Sequence, residues 1–309
     1  LRAGDADGRG ARLFPRQPRI ADKELKGRAM HIPPYDNANR PIVDANDARV
    51  PLNYFNIVML KRGEAFDYRT PGYETCVAPA TGAVDVEVEG ERFERVGGRG
   101  ADVWDGEPEG VYVPSGAKAR MVCVSDAAEV FVAGARYEKP LAPFVVRAAD
   151  IDLVQYGSDE TKTHRKIKHI LGAKQRERVG RLLVSELYTV GQGGWSGFPP
   201  HKHDEDRPPI ETRHDETYNF RFRPKHGFGL QLLQREDGKV GEAYHLIDRS
   251  TLVIDKGYHP CVVAPGYEMY YFTILGGLSQ RPLIQYFQPS HAYQIETIPG
   301  IKDMIAKFR

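Results

Sequence analysis

Cysteine is scarce in this chain: Cys76, Cys123 and Cys261 are the only three among 309 residues. Three thiols cannot all pair within one chain, and each sits in an apolar, strand-like run. A disulfide framework is therefore excluded, and the thiols are expected to be reduced and buried, as in a cytoplasmic protein. Long apolar runs are missing too. None approaches the ~18 residues that a membrane helix requires, and the first residues carry no hydrophobic signal segment. Neither sign of charge dominates: 43 Lys and Arg face 42 Asp and Glu, a net +1. That balance leaves no electrostatic footprint for nucleic acid or a membrane surface. Helical periodicity is nearly absent. Residues 299–309, which begin with Pro299, read as one short C-terminal helix, since proline suits a first turn.

What is present is β-rhythm. The hydrophobic fraction of 41% suffices for a real core. Residues 1–48 are rich in Arg, Gly, Pro, Asp and Asn and read as an extended arm that stays outside that core. From Tyr54 the pattern changes. "YFNIVML" is a short apolar run, and "GAVDVEVEGERF" alternates Val84, Val86 and Val88 with Asp85, Glu87 and Glu89 before a turn at Gly90. Short strands continue to about residue 146. "RAADIDLVQYGSDETKTHRKIKHIL", from Arg147, reads as a polar connector. Strands then return in "RLLVSELYTV", "ETYNFRF", "FGLQLLQ", "EAYHLI", "TLVID" and "MYYFTIL". Many short strands between Gly/Pro turns predict an all-β sandwich or barrel. Residues 49–146 and 147–298 divide as its two parts.

The two parts look like copies. With Glu74 and Glu216 as anchors, the following loop glycines, Gly116 and Gly257, fall 42 and 41 residues on (116 − 74; 257 − 216). The copies differ where chemistry would sit. Nine of the ten histidines follow residue 150. Lys118 stands two residues past the first loop glycine, and His259 two past the second. The first copy is expected to be structural and free of metal.

In "GWSGFPPHKHDED", His201 and His203 are one residue apart. On a strand they would present two imidazoles on one face, a spacing that suits a metal site. His201, His203, Glu216 and His259 together offer three nitrogens and one carboxylate. Such a set suits zinc, manganese, iron or nickel. Glu211 and His214, in the loop before the strand, compete with Glu216 for the carboxylate place. Glu216 is preferred because a strand fixes its direction. His226 and His245 read as surface or packing residues, and His164 and His169 as part of a solvated face.

A Gly-rich entry, His-x-His, a Glu and a later Gly-x-His form a cupin-like signature. The stretches "KHILGAKQRERVGRLLVSELYTVGQGGWSGFPPHKHD", "ETYNFRFRPKHGFGLQ" and "KGYHPCVVAPGYEMYYFTILGG" resemble more particularly the 5-deoxy-glucuronate isomerase family of inositol catabolism, relatives of the pectin-pathway uronate ketol-isomerases. "VDVEVEGERFERVGG" and "VYVPSGAK" are similar to that family's metal-free cupin. The resemblance spans roughly residues 50–295. This sequence departs from the family in Arg213 and His214, in Tyr218-Asn219-Phe220 where the family tends to three tyrosines, and in Thr273 where an Asn is expected.

The resemblance implies a bicupin of two tandem cupin (double-stranded β-helix, or jelly-roll) barrels. It implies isomerisation of 5-deoxy-glucuronate to 5-deoxy-2-keto-gluconate. One divalent ion per chain, with zinc or manganese favoured over iron or nickel, would be held by His201, His203, Glu216 and His259 and would grip two neighbouring oxygens. Tyr218 is the first candidate to act on the sugar hydroxyls, with Glu268 and Tyr271 as weaker ones. For the substrate, Arg221 and Arg223 are candidate carboxylate partners. Simple alternation places Arg221 opposite Glu216, so that role needs a bulge near Pro224. Gln231 and Tyr271 complete the substrate-binding candidates. The partner expected is a small-molecule sugar acid, with no nucleic acid and no membrane, and a homo-oligomer is compatible with the chain. Rival readings are an unsaturated-uronate ketol-isomerase, a metal-dependent dioxygenase and a sugar-binding protein without catalysis, since fold alone does not choose among them.

Overall fold

The computed structural model describes residues 29–309, so the first 28 residues of the expected arm lie outside it. Strand is the dominant regular structure, and among the described residues the only α-helix is Ile301–Ala306. It starts later than Pro299 suggests, because Gly300 stands at φ 72°, outside helical space. No helix among the described residues is long and apolar enough to cross a membrane.

The strands form two systems. In the first, the sheet order is Asn53–Lys61, Ala127–Arg136, Tyr73–Val88, Gly110–Val113, Phe144–Val146. The strand Tyr73–Val88 is long enough to serve two layers. Its first half pairs with Ala127–Arg136, and its second with Glu91–Arg99 and Ala119–Cys123. The change of layer falls at Gly82, at φ 69°, where a Cβ would lie 2.1 Å from the Ala127 carbonyl oxygen. The alternating valines face inward as expected: Val84, Val86 and Val88 join the first interior core.

The second system contains a seven-stranded sheet. Its order is His31–Ile32, Thr251–Ile254, His214–Arg223, Glu268–Gly277, Leu182–Thr189, Arg165–Leu171, Asp152–Tyr156. Beside it lies a four-stranded sheet, Gly194–Ser196, Cys261–Val263, Phe228–Leu233, Glu242–Ile247. Two corrections follow. The stretch read as a polar connector supplies two strands of the main sheet, with Ile167 and His169 buried. Its Lys/Arg content hid an apolar alternation. The part of the arm that is described is also built in: His31–Ile32 pairs with Thr251–Leu252, and Val43 is fully buried.

A third core joins the two systems. Phe55, Phe131 and Phe272 meet there, with ring centroids 4.7–6.3 Å apart. The copies are real, with one correction of phase. Val113 lies opposite Thr75, and Ile254 opposite Glu216; Gly134 lies opposite Thr75, and Leu275 opposite Glu216. Both comparisons give an offset of 141 (254 − 113; 275 − 134), so Thr75 rather than Glu74 matches Glu216, while Lys118 still matches His259. Glu74 points to the opposite face, where it accepts the backbone N–H groups of Gly180, Arg181 and Leu182 and the Tyr112 hydroxyl.

Candidate metal centre

Alternation along His214–Arg223 sends Glu216, Tyr218, Phe220 and Phe222 into the second interior. Asp215, Thr217, Asn219 and Arg221 face the other way. Tyr218, Phe220 and Phe222 belong to the interior cluster, whereas Thr217 binds Asn53 and Arg221 binds Glu129, both in the first system. The strand runs in unbroken register from His214 to Arg223 against Glu268–Gly277. No bulge reverses its phase, so Arg221 is not a site residue. Its place is a buried ion pair with Glu129, which also binds Arg249.

The His-x-His segment reaches the same interior. His201–Lys202 is a two-residue strand paired with Tyr286–Phe287. His203 lies just past it and is clasped by the backbone of His214: the His214 N–H donates to the His203 carbonyl at 2.8 Å, and His203 Nδ1 donates back at 2.9 Å. That clasp sets His203 beside Glu216. His259 follows Gly257, at φ 99°, where a side chain would press within 2.7 Å of the Gln234 carbonyl. His201, His203 and His259 are all buried, with ligand nitrogens within 4.8 Å of one another.

The tautomers are fixed by what surrounds them. The Nδ1 atoms of His201, His203 and His259 face the carbonyls of Pro199 (3.3 Å), His214 (2.9 Å) and Gly257 (2.7 Å). A carbonyl only accepts, so each Nδ1 carries the proton and each Nε2 is left to ligate. Nε2 of His203 and of His259 stand 3.1 and 3.2 Å from the same Glu216 oxygen, and His259 Nε2 has no hydrogen-bond partner. One proton cannot satisfy both of these nitrogens and the carboxylate oxygen they share, whereas a metal ion can. The donor set therefore fits a divalent cation. The other Glu216 oxygen accepts the Thr273 hydroxyl at 2.8 Å, so Thr273 orients the carboxylate.

Electrostatics treat the imidazoles differently: burial opposes charge on His203, but the Glu216 carboxylate overcomes it and raises that ring above its ordinary value. Burial, then the neighbouring His259 and His203, push His201 down to about 3, which keeps its lone pair free. Burial opposes ionisation of Glu216, but His203 and His259 overcome it and hold the carboxyl well below the usual range. The competing residues are occupied elsewhere. Glu211 is clamped by Lys202, Arg207 and the N–H groups of Asp204 and Glu205. Both His214 nitrogens face backbone carbonyls, of Thr212 and Arg281.

A cavity of about 40 Å³ adjoins the centre, lined among others by His201, His203, Glu216, Tyr218, Tyr271, Gln285 and Phe308. The rings of Tyr218 and Tyr271 meet there at a tilt, with centroids 4.5 Å apart, and Tyr271 hydrogen-bonds Ser196. Three candidates lie elsewhere. Glu268 and Arg223 pair with each other at 2.5 Å on the outer edge. Gln231 holds the His259 carbonyl at 2.6 Å and so supports that ligand's backbone. Residues that motif reasoning missed are Gln285, 2.9 Å from His201 Nε2, and the C-terminal Met304 and Phe308. No spacing rule links them to the histidines, because long loops bring them in.

Residues 31–294 match the KduI/IolB family. The chain is similar to the 5-deoxy-glucuronate isomerase of Bacillus subtilis strain 168, 30% identical over 78% of this chain and 87% of that one. It is 28% identical to the namesake protein of Listeria monocytogenes serotype 4b, over 82% and 92% of the two chains. The crystal structure of an IolB-like protein from Salmonella typhimurium LT2 superposes with a TM-score of 0.72 at 27% identity, over 78% of this chain and 89% of that one. A mutant oxalate decarboxylase of Bacillus subtilis shares the fold alone, at TM-score 0.54 and 10% identity over 79% and 75%. The all-β, cupin-type chain therefore belongs to the KduI/IolB family and is an isomerase of that family.

Proposed function

We propose that the chain is a metal-dependent aldose–ketose isomerase that converts 5-deoxy-glucuronate to 5-deoxy-2-keto-gluconate, in the cytoplasm, within inositol catabolism. In this reading it is a bicupin, with residues 49–146 as a metal-free cupin and residues 147–298 as the catalytic one. The observation that carries the reading is the set of three buried imidazoles with clustered ligand nitrogens, each with Nδ1 on a carbonyl, and with Nε2 of His203 and of His259 on Glu216. His201, His203, Glu216 and His259 would hold one divalent ion; the donor type suits zinc, manganese, iron or nickel, with zinc or manganese favoured by the family resemblance. When bound there, such an ion supplies Lewis-acid polarisation of the substrate's carbonyl and adjacent hydroxyl oxygens.

The chain's own residues do the rest. Tyr218 is fully buried, and its hydroxyl is pushed well above the ordinary phenol value by burial and then by the Glu216 charge. It is therefore a neutral hydroxyl, fitted to donate a hydrogen bond to a sugar oxygen rather than to serve as a standing base. Phe198, Leu283 and Phe287 wall the cavity and exclude water from the carbons between which hydrogen moves. The test is an isomerase assay on 5-deoxy-glucuronate and, in parallel, on an unsaturated uronate, with metal analysis of the same preparation. Turnover of the first, with one ion per chain, is expected. Preference for the second would move the assignment to the pectin-type reaction.

A further inference from the structure

With Arg221 and Arg223 turned away from the cavity, the carboxylate of a sugar acid lacks the partners assigned to it from sequence. Four arginines are buried: Arg99, Arg165, Arg221 and Arg281. Arg99 grips Glu186, Arg221 grips Glu129, and Arg281 Nη2 donates to the carbonyls of Leu171 and Gly172. Arg165 differs. Its Nε donates to the Tyr188 carbonyl at 3.0 Å, but no carboxylate or carbonyl takes Nη1 or Nη2. The phenols of Tyr271 and Tyr156 are the hydrogen-bonding groups beside it, and they are neutral and do not balance its charge. The residue is only 1% exposed. A buried guanidinium with no anion beside it is costly unless a ligand supplies one.

Its position says which anion. Arg165 and Ile167 are two apart on one strand and so share a face, and Ile167 lines the cavity beside the metal centre. Tyr156, directly opposite Arg165 in the sheet, lines the same cavity. The guanidinium carbon lies 5.5 Å from the ring centroid of Tyr271, a third lining residue, which packs at a tilt against Tyr218. Arg165 thus borders the same interior, in contact with the ring of Tyr271.

We propose that Arg165 anchors the carboxylate of the sugar acid, its two terminal nitrogens forming a bidentate pair while the sugar's other end meets the histidine centre. The inference rests on the isomerase reading for its substrate. The fork geometry, rather than charge alone, selects a planar carboxylate over a neutral terminal hydroxymethyl group.

The test measures binding and turnover separately, on the metal-loaded protein, with 5-deoxy-glucuronate and the uncharged 5-deoxy-glucose. The wild type should bind the acid at least 10-fold more tightly than the neutral sugar. Arg165→Met should abolish that preference, and kcat/KM for the acid should fall about 100-fold, chiefly through KM. Arg165→Lys keeps the charge and stem but loses the fork, and should fall about 10-fold. It decides the matter if Arg165→Met fails to fold, and metal content near one ion per chain verifies each variant. Equal loss of affinity for both sugars, or an acid preference that survives in both variants, would overturn the anchor. A wild type that binds the acid preferentially without isomerising it would overturn the proposed reaction and leave the anchor standing.

Discussion

Tyr218 and Glu216 are two residues apart on one strand, and the strand rather than the loop before it decides the chemistry. His203→Ala should lose the ion and the activity together. Glu211→Ala should keep its metal, since Glu211 is spent on Lys202, Arg207 and two backbone N–H groups. Metal content of the two variants checks this; the reverse result would move the carboxylate ligand into the loop. Tyr218→Phe should keep its metal and lower kcat about 100-fold. Glu268→Gln, which touches only Arg223 at the edge, should leave kcat unchanged. A second residue-scale expectation concerns pH. Burial pushes His169 down to about 4, and its ring packs edge-on against Phe308 at 4.8 Å. The folded chain prefers neutral His169, so this stability is fully present above the unfolded value of about 6.5. It is lost as pH falls from there toward 4. Denaturation midpoints measured across that window should fall less steeply with acid in His169→Gln, by up to ~1.4 kcal/mol per pH unit. An unchanged slope would show that His169 already ionises in the fold.

Elements explain what could be read from sequence and what could not. The clustering of His201, His203 and His259 beside Glu216 was legible because His-x-His, the Glu that opens a strand and the Gly-x-His turn are local patterns with fixed directions. Arg221 was legible too, by alternation: the face opposite Glu216 is where it lies. The bulge invoked to rescue it does not exist. Arg165 was hidden because "KTHRKIKHI" looks like a solvated face, and only its pairing between Asp152–Tyr156 and Leu182–Thr189 turns it inward. The strand Leu182–Thr189 also helps to lock the two systems together. Arg99, from the first, meets Glu186, from the second, through two bonds of 2.9 and 2.6 Å. The hydroxyls of Tyr188 and Tyr270 complete that carboxylate. Removing one partner would leave a buried charge unpaired, so Arg99→Ala should lower stability by about 3–5 kcal/mol. Replacing Glu186 by Gln as well should recover part of it. A chemical-denaturation cycle on the two single variants and the double variant tests this, and strictly additive losses would mean that the pair is not coupled.

At the scale of the molecule, two copies of one β-plan carry one centre, and the reason is visible at matching positions. Thr75 stands where the second copy has Glu216, and its hydroxyl is occupied by the Tyr68 hydroxyl at 2.8 Å. Lys118 stands where the second copy has His259, and its side chain is exposed. The clusters of possible ligands among the described residues all lie between residues 201 and 259. The first copy's contribution is instead mechanical: Glu74 holds three N–H groups of the segment that opens the strand Leu182–Thr189, and Asn53 and Glu129 hold the back of the ligand-bearing strand. Metal content should therefore be near one ion per chain. Because the ion would bind only the folded centre, its removal should destabilise the protein. At a free metal concentration a hundredfold above Kd the linkage is ~2.7 kcal/mol, which for a chain of this size corresponds to roughly 5 °C or more in Tm. Chelation should lower Tm by that much, and re-addition of metal should restore it. His203→Ala should melt near the chelated parent and respond to neither treatment. Two tightly bound ions per chain, or a chelated parent that melts unchanged while losing its ion, would break the link between the centre and the fold that surrounds it.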